Sequence, residues 1–408
     1  MDRVILHCDL NNFYASVECA INPILWTKPV AVTGNPRTRH GIILAKNQVA
    51  KNLGIKTAQT IWEAKLLCPN LICLPPQFEL YQQYSRKVRD IYLRFTDQVE
   101  SFGPDECWLD VTHSTNLFGS GEEIANKLRK LVKEETGLTI SIGVSFNKYF
   151  AKLGSDLKKP DATTIISKEN FKQKIWDLPA DSLIFIGNKT IKKLNKFNIH
   201  TIGDLAKASE KLLKQQFGIL GIQYKQVANG EDTSIVNHQD NLDKAKSVGN
   251  GMTAIRDLHT RDEIETMIYT LAEKVTFRMR EAGYVGRTAN LTLRNSDLSK
   301  SRHSITKLTA TDNALEFAEM CIEIFNTFWQ GITEFSVRSV RISMSNLEYK
   351  SETQQITFFD TPKKIKEQKL NKSLDEIRQK YGYYAVRRAK TIDKDFINYY
   401  EVDEEENS

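Results

Sequence analysis

The chain has 408 residues, 40% of them hydrophobic and 26% charged, which excludes global disorder and suffices for roughly two to four domains. It contains no run of about 18 apolar residues, so no transmembrane helix is expected. The N-terminal segment carries acids almost at once instead of a signal-peptide pattern, and the six cysteines form no CxxC pair. We therefore expect a cytoplasmic protein with reduced thiols.

The net charge of +6 is unevenly distributed along the chain. Basic residues concentrate in two blocks, at 186–225 and 363–394. Local basic blocks in a near-neutral chain indicate a polyanionic partner, most often nucleic acid. A solvated lysine-rich surface explains the same blocks equally well.

The first 167 residues alternate between strand and helix patterns. The predicted strands lie at 3–8, 30–33, 41–45, 99–111 and 140–145. The predicted helices begin near Ala15 and lie at 47–53, 60–67, 79–96 and 121–136. The short strands and the hairpin-like stretch 99–111 favour an α+β fold over a doubly wound sheet.

The rest of the chain divides by composition. Residues 169–230 are rich in helix formers and lysine and predict a small helical domain, followed by a polar linker at 234–247. A second α+β unit is predicted from helices at 261–282 and 312–329 and strands at 288–295, 304–309 and 336–347. A tail of about sixty residues follows, for which the pattern predicts no domain.

Three acidic residues lie at places where carboxylates can converge. Asp9 ends a buried strand, and Asp105 and Glu106 stand side by side in a turn that enters another strand. Carboxylates at strand ends can hold hard divalent cations, and two such cations can support phosphoryl transfer. From the spacing alone, the structural interpretation is favoured: Asp9 caps a helix and the acidic pair forms a solvated turn.

Several motifs shift the preference for these three acids from a structural role to metal binding. The blocks DLNNFYASVE (9–18), PDECWLD (104–110) and SIGVSFNKYFAKLGSDLKKPD (141–161) together resemble the Y-family translesion DNA polymerases, and the gaps between them also match. Further similarity lies in GNKTIKKLNKFNIHTIGDLA (187–206) and VANGED (227–232). The resemblance covers about residues 3–348 and is nearest to Gram-positive bacterial members.

The resemblance implies a multidomain α+β protein with the right-hand architecture of these polymerases. The implied parts are a palm at 1–24 and 76–167, small fingers at 25–75, a helical thumb at 168–233, a linker at 234–247, an α+β little finger at 248–348 and a tail at 349–408. It also implies that Asp9, Asp105 and Glu106 are catalytic carboxylates that bind two Mg²⁺ ions, with the backbone carbonyl of Leu10 completing the ligand set.

The nucleotide-binding residues follow from the same resemblance. Phe13 and Tyr14 match the aromatic pair under the incoming dNTP, where Tyr14 is the steric gate that excludes a 2′-hydroxyl. Lys51 and Lys159 match the cations that hold the triphosphate. The ordinary alternatives are a core aromatic for Tyr14 and a solvated surface position for either lysine.

The sequence departs from the commonest family pattern near this site. Gln48 stands where many relatives have a tyrosine, and its amide can still donate a hydrogen bond to the triphosphate. Ala45 replaces a hydroxyl residue of some relatives, and Gly103-Pro104 replaces a serine and a β-branched residue. These departures bear on nucleotide selection and leave all the metal ligands in place.

Two regions are implied to bind primer-template DNA. Residues 184–206 resemble a helix-hairpin-helix whose turn, with Ile186, Gly187 and the nearby Lys189, presents backbone N–H groups to a phosphate. Phe185 replaces the usual first glycine of that turn, and a plain helical hairpin is the alternative. The little finger carries arginines that can reach phosphates: Arg256, Arg278, Arg280, Arg294, Arg338 and Arg341.

The tail contains a candidate partner-binding peptide. Gln355, followed after two residues by Phe358 and Phe359, resembles the bacterial sliding-clamp-binding peptide. The two phenylalanines would fill a pocket from an extended segment, with the glutamine as a polar anchor. The alternative is that both rings pack back onto the little finger.

These implications converge on a monomeric, template-directed DNA polymerase of low fidelity that bypasses damaged template bases. Short fingers cannot close tightly over the new base pair, and the tail is too short for a proofreading domain. A catalytically silent DNA- and clamp-binding protein is the first alternative, against which the intact carboxylates argue. A two-metal nuclease is the second, against which the triphosphate lysines and the steric gate argue.

Overall fold

The computed structural model describes residues 2–35, 41–238, 244–331, 334–350, 362–392 and 394–397. Most of the chain divides into two compact units, the first within Met1–Gly34 and Gly41–Leu242 and the second within Asp243–Asn407. In the described ranges, no helix combines the length and apolar character that crossing a bilayer requires.

The first unit contains eight strands and twelve helices among its described residues. The strands are β1 (Ile5–Leu10), β2 (Val30–Thr33), β3 (Ile43–Lys46), β4 (Ile72–Leu74), β5 (Val99–Ser101), β6 (Glu106–Asp110), β7 (Ile140–Ser145) and β8 (Thr163–Ile166). The helices are α1 (Phe13–Ile21), α2 (Gln48–Asn52), α3 (Ile61–Leu67), α4 (Phe78–Leu93), α5 (Thr115–Phe118), α6 (Gly121–Thr136), α7 (Lys148–Leu157), α8 (Phe171–Ile175), α9 (Asn188–Asn195), α10 (Ile202–Lys207), α11 (Glu210–Phe217) and α12 (Ile219–Ala228).

A five-stranded sheet in the order β5-β6-β1-β7-β8 forms the centre of this unit. The middle strand, β1, is buried along its whole length and runs antiparallel to both β6 and β7. The register places Asp9 directly opposite Glu106, and the N–H of Leu10 donates to the carbonyl of Asp105 at 3.0 Å. Strand pairing therefore brings together acids that lie about a hundred residues apart in the chain.

Helix α7 packs against this sheet with very close backbone contact. Asn147 caps its start by accepting a hydrogen bond from the N–H of Phe150 at 2.8 Å. A Cβ atom at Gly143 of β7 would lie 1.9 Å from the carbonyl oxygen of Ala151, so only glycine allows this approach. The contact holds the side chains of α7 over the ends of β1 and β6.

A separate three-stranded sheet, β3-β2-β4, lies within residues 25–75 and has its own small core. Buried Asn47 ties it together, since its side chain accepts from the N–H of Ala50 and donates to the carbonyls of Leu25 and Lys28. Helix α3 begins with a capping box between Thr60 and Glu63. These bonds position α2 beside the central sheet.

Helices α8 to α12 form a third cluster, whose apolar core also includes Phe150 and Leu153 of α7. The turn before α9 contains Phe185 in the left-handed region, at φ 72°, and the side chain is 63% exposed. This is the position of the replaced family glycine, and glycine adopts this conformation without the strain that a side chain brings. The phenylalanine ring contacts Phe102 and Tyr149 edge-on.

The second unit is a four-stranded antiparallel sheet covered by helices. Its elements are β9 (Ser247–Leu258), α13 (Arg261–Glu281), β10 (Tyr284–Asn295), β11 (Lys300–Thr311), α14 (Ala314–Phe328), β12 (Val337–Tyr349) and α15 (Pro362–Tyr381). The sheet order is β11-β10-β12-β9, and apolar residues of its strands share one core with α13 and α14.

The described residues from 362 onward, which the sequence pattern places in a tail, also pack onto this unit. Tyr383, Phe396 and Ile397 are buried in its core. Ion pairs tie the described residues of the segment 362–397 to earlier residues, among them Arg280–Asp375, Glu273–Arg378, Arg256–Asp395 and Asp262–Lys390. We call residues 362–397 the C-terminal strap.

The predicted α+β class is confirmed, and most predicted elements lie within a few residues of the observed ones. Strand β9 was not predicted, because its glycines and polar residues obscure the alternation of Asn250, Met252 and Ala254. Strands β10 and β11 are longer than predicted, since pairing in a hairpin extends both beyond their apolar centres. The strap helix α15 was also missed, because its pattern is dominated by charge.

Candidate active site

One cavity of about 510 Å³ in the first unit collects the residues that the sequence predicted for metal and nucleotide binding. Nine of those residues line it: Asp9, Leu10, Phe13, Tyr14, Gln48, Lys51, Asp105, Glu106 and Lys159. Ala45 and Pro104, two of the departures from the family pattern, line it as well. The structure thus brings together the three sequence blocks and residues 44–57 around a single space.

The carboxylates lie at the floor of this cavity. Asp9 belongs to β1 and does not cap α1, whose N-cap is Asn12, so the structural alternative for Asp9 is wrong. Its side chain is only 7% exposed, and the Glu106 side chain is 20% exposed. Buried carboxylates require hydrogen bonds or counter-ions to offset their lost hydration.

Two lysines supply these counter-ions. Lys152 Nζ lies 3.0 Å from Glu106 Oε1 and 3.2 Å from Asp9 Oδ2. Lys159 Nζ lies 2.7 Å from Asp9 Oδ2. Both ammonium groups also contact Asp156, at 3.3 and 2.9 Å. The sequence analysis missed Lys152 and Asp156, and their only signal was the i,i+4 spacing of the two residues, which places them on one face of α7.

The three acids differ in their electrostatic environment. Burial raises the pKa of Asp9, although Lys159 and Lys152 oppose the rise. Burial and the neighbouring charges of Asp9 and Glu106 raise the pKa of Asp105 to about 6, and among the described residues no cation pairs with it. Burial also disfavours the charge of Glu106, but His7 and Lys152 outweigh it and lower its pKa to about 2.

His7 is a further residue that the sequence analysis missed. Its ring is fully buried, with Nδ1 2.8 Å from Ser155 Oγ and Nε2 3.3 Å from Glu106 Oε2. Burial lowers the pKa of His7. Ser155 Oγ also donates to the carbonyl of Lys152 at 2.7 Å, so one buried chain of contacts connects Glu106 to helix α7.

Lysines of β3 and α2 form a cationic wall on another side of the cavity. Lys51 is exposed on α2, and Lys46 on β3 donates to Thr57 Oγ1 at 2.8 Å. Burial and the charge of Lys51 lower the pKa of Lys46. Gln48 turns its amide toward Asn52 Oδ1, at 2.7 Å. Lys46 was not predicted, since one more lysine in this chain carries no distinguishing sequence signal.

Tyr14 is held by an aromatic cluster on one side of the cavity. Its ring stacks on Tyr81 with centroids 4.4 Å apart and planes 14° from parallel, and Phe78 meets it edge-on. The Tyr81 hydroxyl donates to buried Glu18 at 2.5 Å, and Gln77 donates to the same carboxylate. The ring of Tyr14 therefore has a fixed support behind it while it still lines the cavity.

The donors present suit a hard divalent cation. Three carboxylates and a backbone carbonyl at one cavity floor match the oxygen ligands that Mg²⁺ prefers. In the part of the chain that the structure describes, no three acidic, His or Cys side chains converge on a single point. Instead Lys152 occupies the space between Asp9 and Glu106.

The predicted DNA-contact residues lie outside this cavity. Gly187 is the N-cap of α9, Lys189 is exposed in its first turn, and Ile186 is buried beneath it. Arg341 is exposed on β12 and Arg338 is half-buried there. Arg256 is engaged by Glu263 and Asp395, at 2.7 and 2.9 Å.

Two other arginines of the second unit are also engaged. Arg280 forms a double contact with Asp375, and Arg278 lies 3.5 Å from the carbonyl of Gly249. The predicted clamp-binding residues Gln355, Phe358 and Phe359 lie outside the described residues.

Comparison with known proteins gives matches over nearly the whole chain. Residues 8–156 match the model of the impB/mucB/samB family, and residues 245–358 match that of its C-terminal domain. The DNA polymerase IV of Acetivibrio thermocellus is 46% identical over 95% of this chain and 97% of its own length. The DNA polymerase IV of Bacillus velezensis is 35% identical over 96% of this chain and 94% of its own.

The fold has a solved counterpart. A Y-family DNA polymerase chimera superposes with a TM-score of 0.74 over 85% of this chain and 99% of the chimera, at 21% sequence identity. This similarity confirms the multidomain α+β polymerase fold that the motifs implied. Together with the family models and the relatives, it shows that this chain belongs to the Y-family of DNA polymerases.

Proposed function

We propose that the protein is a template-directed DNA polymerase of low fidelity, which adds dNTPs to a primer 3′ end and continues past damaged template bases. The observation that carries the proposal is the cavity of the first unit, where three carboxylates face lysines and a supported tyrosine. This arrangement provides, within one space, the groups for metal binding, triphosphate binding and sugar selection.

The floor of the cavity would hold two Mg²⁺ ions through Asp9, the Leu10 carbonyl, Asp105 and Glu106. When bound, such a pair activates the attacking hydroxyl and stabilises the oxygens of the transferring phosphoryl group. The chain's own task is to keep the carboxylates ionised and oriented. The direct register of Asp9 against Glu106 and the contact of His7 with Glu106 support that role.

The cationic wall would receive the triphosphate. Lys51 and Lys159, with Lys46 beside them, place ammonium groups around the open part of the cavity. Gln48 would donate from its amide, which requires that the amide leave Asn52. Because an amide is a weaker anchor than a cation, we propose that nucleotide affinity rests mainly on the lysines.

The aromatic side of the cavity would select the sugar. Phe13 forms the base of this side, and Tyr14 projects beside it as the steric gate. The stack on Tyr81 prevents the gate from moving back to admit a 2′-hydroxyl. Selection by volume in this form discriminates sugars without reading the base.

Contacts to primer-template DNA would come from two surfaces. The N-terminus of α9, with Ile186, Gly187 and Lys189, would offer N–H groups and charge to a phosphate. Arg338 and Arg341 of β12 would contact the backbone from the second unit, and Arg256 would join them by leaving its carboxylate partners. All these contacts are independent of base sequence, as a polymerase requires.

The domain roles and remaining partners are proposals of the same kind. Residues 1–24 and 76–167 would be the palm, 25–75 the fingers, 168–233 the thumb and 248–348 the little finger. Gln355, Phe358 and Phe359 would bind a bacterial sliding clamp. We propose that the enzyme acts as a monomer on the DNA of the bacterial cytoplasm.

Primer extension tests the proposal. The parent protein should extend a primer on a template in the presence of Mg²⁺ and dNTPs, and past an abasic site in the template. Asp105→Ala with Glu106→Ala should abolish extension, whereas Asp97→Ala, which removes an exposed carboxylate outside the cavity, should not. Degradation of the primer would instead indicate a nuclease, and DNA binding without extension would indicate a silent competitor.

A further inference from the structure

Lys152 is a cation that bridges two of the proposed metal ligands, Asp9 and Glu106. Its ammonium group contacts Glu106 and Asp9 at 3.0 and 3.2 Å, and the side chain is only 13% exposed. Any cation that binds both carboxylates must take much of the space that this ammonium group fills. Lys152 and a divalent cation are therefore competitors for the same oxygens.

The backbone beneath Lys152 leaves it little freedom to withdraw as a whole. Helix α7 is pressed onto β7 at Gly143, and Ser155 bonds the carbonyl of Lys152. Only the flexible side chain can move. A buried lysine that lost both partners would be left as an uncompensated charge, which is strongly unfavourable.

Asp156 provides the alternative partner. It follows Lys152 by one helical turn, its Oδ2 is already 3.3 Å from the ammonium group, and its side chain is 46% exposed. The lysine can therefore exchange the two buried carboxylates for a solvated one without becoming unpaired. Lys159 contacts Asp9 and Asp156 as well, so Asp156 is shared by both cations of the cavity floor.

We propose that Lys152 is the resident counter-ion of the carboxylate cluster: it holds Asp9 and Glu106 together before metal binds, competes with the divalent cation for them, and transfers to Asp156 when the cation enters. Lys152 is thus a positioning residue that sets the metal affinity of the free enzyme. The inference rests on the proposed metal role of Asp9 and Glu106.

Mn²⁺ titration of the protein without DNA or nucleotide tests this inference, with free Mn²⁺ measured by electron paramagnetic resonance. Lys152→Gln should bind Mn²⁺ on the order of tenfold more tightly than the parent, since a competing charge a few ångströms away is removed. It should also melt at a lower temperature in EDTA, because the carboxylates lose their counter-ion. If Lys152 served only to stabilise the local structure, its replacement would instead weaken Mn²⁺ binding.

Two controls separate this mechanism from a general effect of charge. Lys51→Gln removes a cation that lines the same cavity without a carboxylate partner among the described residues, and it should tighten Mn²⁺ binding clearly less. Asp156→Asn should weaken Mn²⁺ binding in the parent, and by a smaller factor in the Lys152→Gln background. Equal factors in both backgrounds would indicate simple charge additivity and overturn the transfer to Asp156.

The outcomes also separate this inference from the proposed function. If Glu106→Gln fails to reduce Mn²⁺ binding, the metal site itself is wrong. If Glu106→Gln reduces binding but folded Lys152→Gln binds Mn²⁺ no more tightly than the parent, only the counter-ion role is wrong. Should Lys152→Gln not fold, unchanged Mn²⁺ affinity in the half-exposed Asp156→Asn variant would overturn the proposal.

Discussion

Asp105 is expected to reduce the stability of the metal-free protein. As a proposed metal ligand, it is nevertheless expected to be required for activity. Among the described carboxylates of the cavity floor, it is the one without a cationic partner, and its pKa is raised from 3.8 to about 6. That difference corresponds to about 3 kcal/mol of unfavourable free energy for the ionised form in the fold. The substitution Asp105→Asn removes the charge and nearly preserves the shape.

We therefore expect Asp105→Asn to be more stable than the parent by up to about 3 kcal/mol in EDTA at pH 7.5. Because the folded pKa of Asp105 lies above its unfolded value, the cost of ionisation is fully present above pH 6 and disappears as the pH falls toward 4. The advantage of the variant should accordingly shrink to about 1 kcal/mol at pH 4.5.

Urea unfolding of both proteins at the two pH values measures this difference, and primer extension measures activity in parallel. The variant should extend no primer, because an amide cannot supply the charge that holds a cation, yet bind primer-template with nearly parental affinity. Asp156→Asn is the matched control: Asp156 is paired with Lys152 and Lys159, so its loss should not stabilise the protein. Equal or lower stability of Asp105→Asn at pH 7.5, or activity above a few per cent of parental, would refute the reasoning.

Three further predictions follow from the gate, the clamp peptide and the strap. Tyr14→Ala should lower the preference for dNTPs over rNTPs by about tenfold or more, while the use of dNTPs is largely kept. Single-nucleotide incorporation assays measure this preference, and an unchanged preference would contradict the steric-gate role of Tyr14. Phe358→Ala with Phe359→Ala should leave extension on short templates intact and remove stimulation by a loaded sliding clamp, whereas joint loss of basal activity and thermal stability would place both rings in the fold. A chain that ends at Thr361 should lose roughly 5 kcal/mol of stability in its second unit, because Tyr383, Phe396 and Ile397 leave the core. Calorimetry measures this loss, with Phe396→Ala as a milder control. An unchanged unfolding temperature of the second unit would refute the prediction.

Local sequence patterns determined much of this protein. Strand β7 and helices α3, α6 and α13 lie where the hydrophobic pattern predicted them, since such a pattern acts over a few neighbouring residues. The motif blocks also led to the correct family and to nine residues that meet in one cavity. The assigned roles of those residues stay predictions.

Other features depend on contacts between distant segments, which no local pattern reveals. In the sequence, Lys152 cannot be distinguished from the many other lysines. It becomes distinctive only because α7 packs on Gly143 and places its side chain between Asp9 and Glu106. The support of Tyr14 by Tyr81 requires helix α4 to pack beside α1.

The electrostatic differences among the three carboxylates likewise arise only in the folded chain. Their pKa values depend on burial and on partners such as His7, which contacts Glu106 only once β1 and β6 pair. The residue types that the chemistry needs can be read from the chain itself, whereas tertiary packing decides which of them carry a counter-ion.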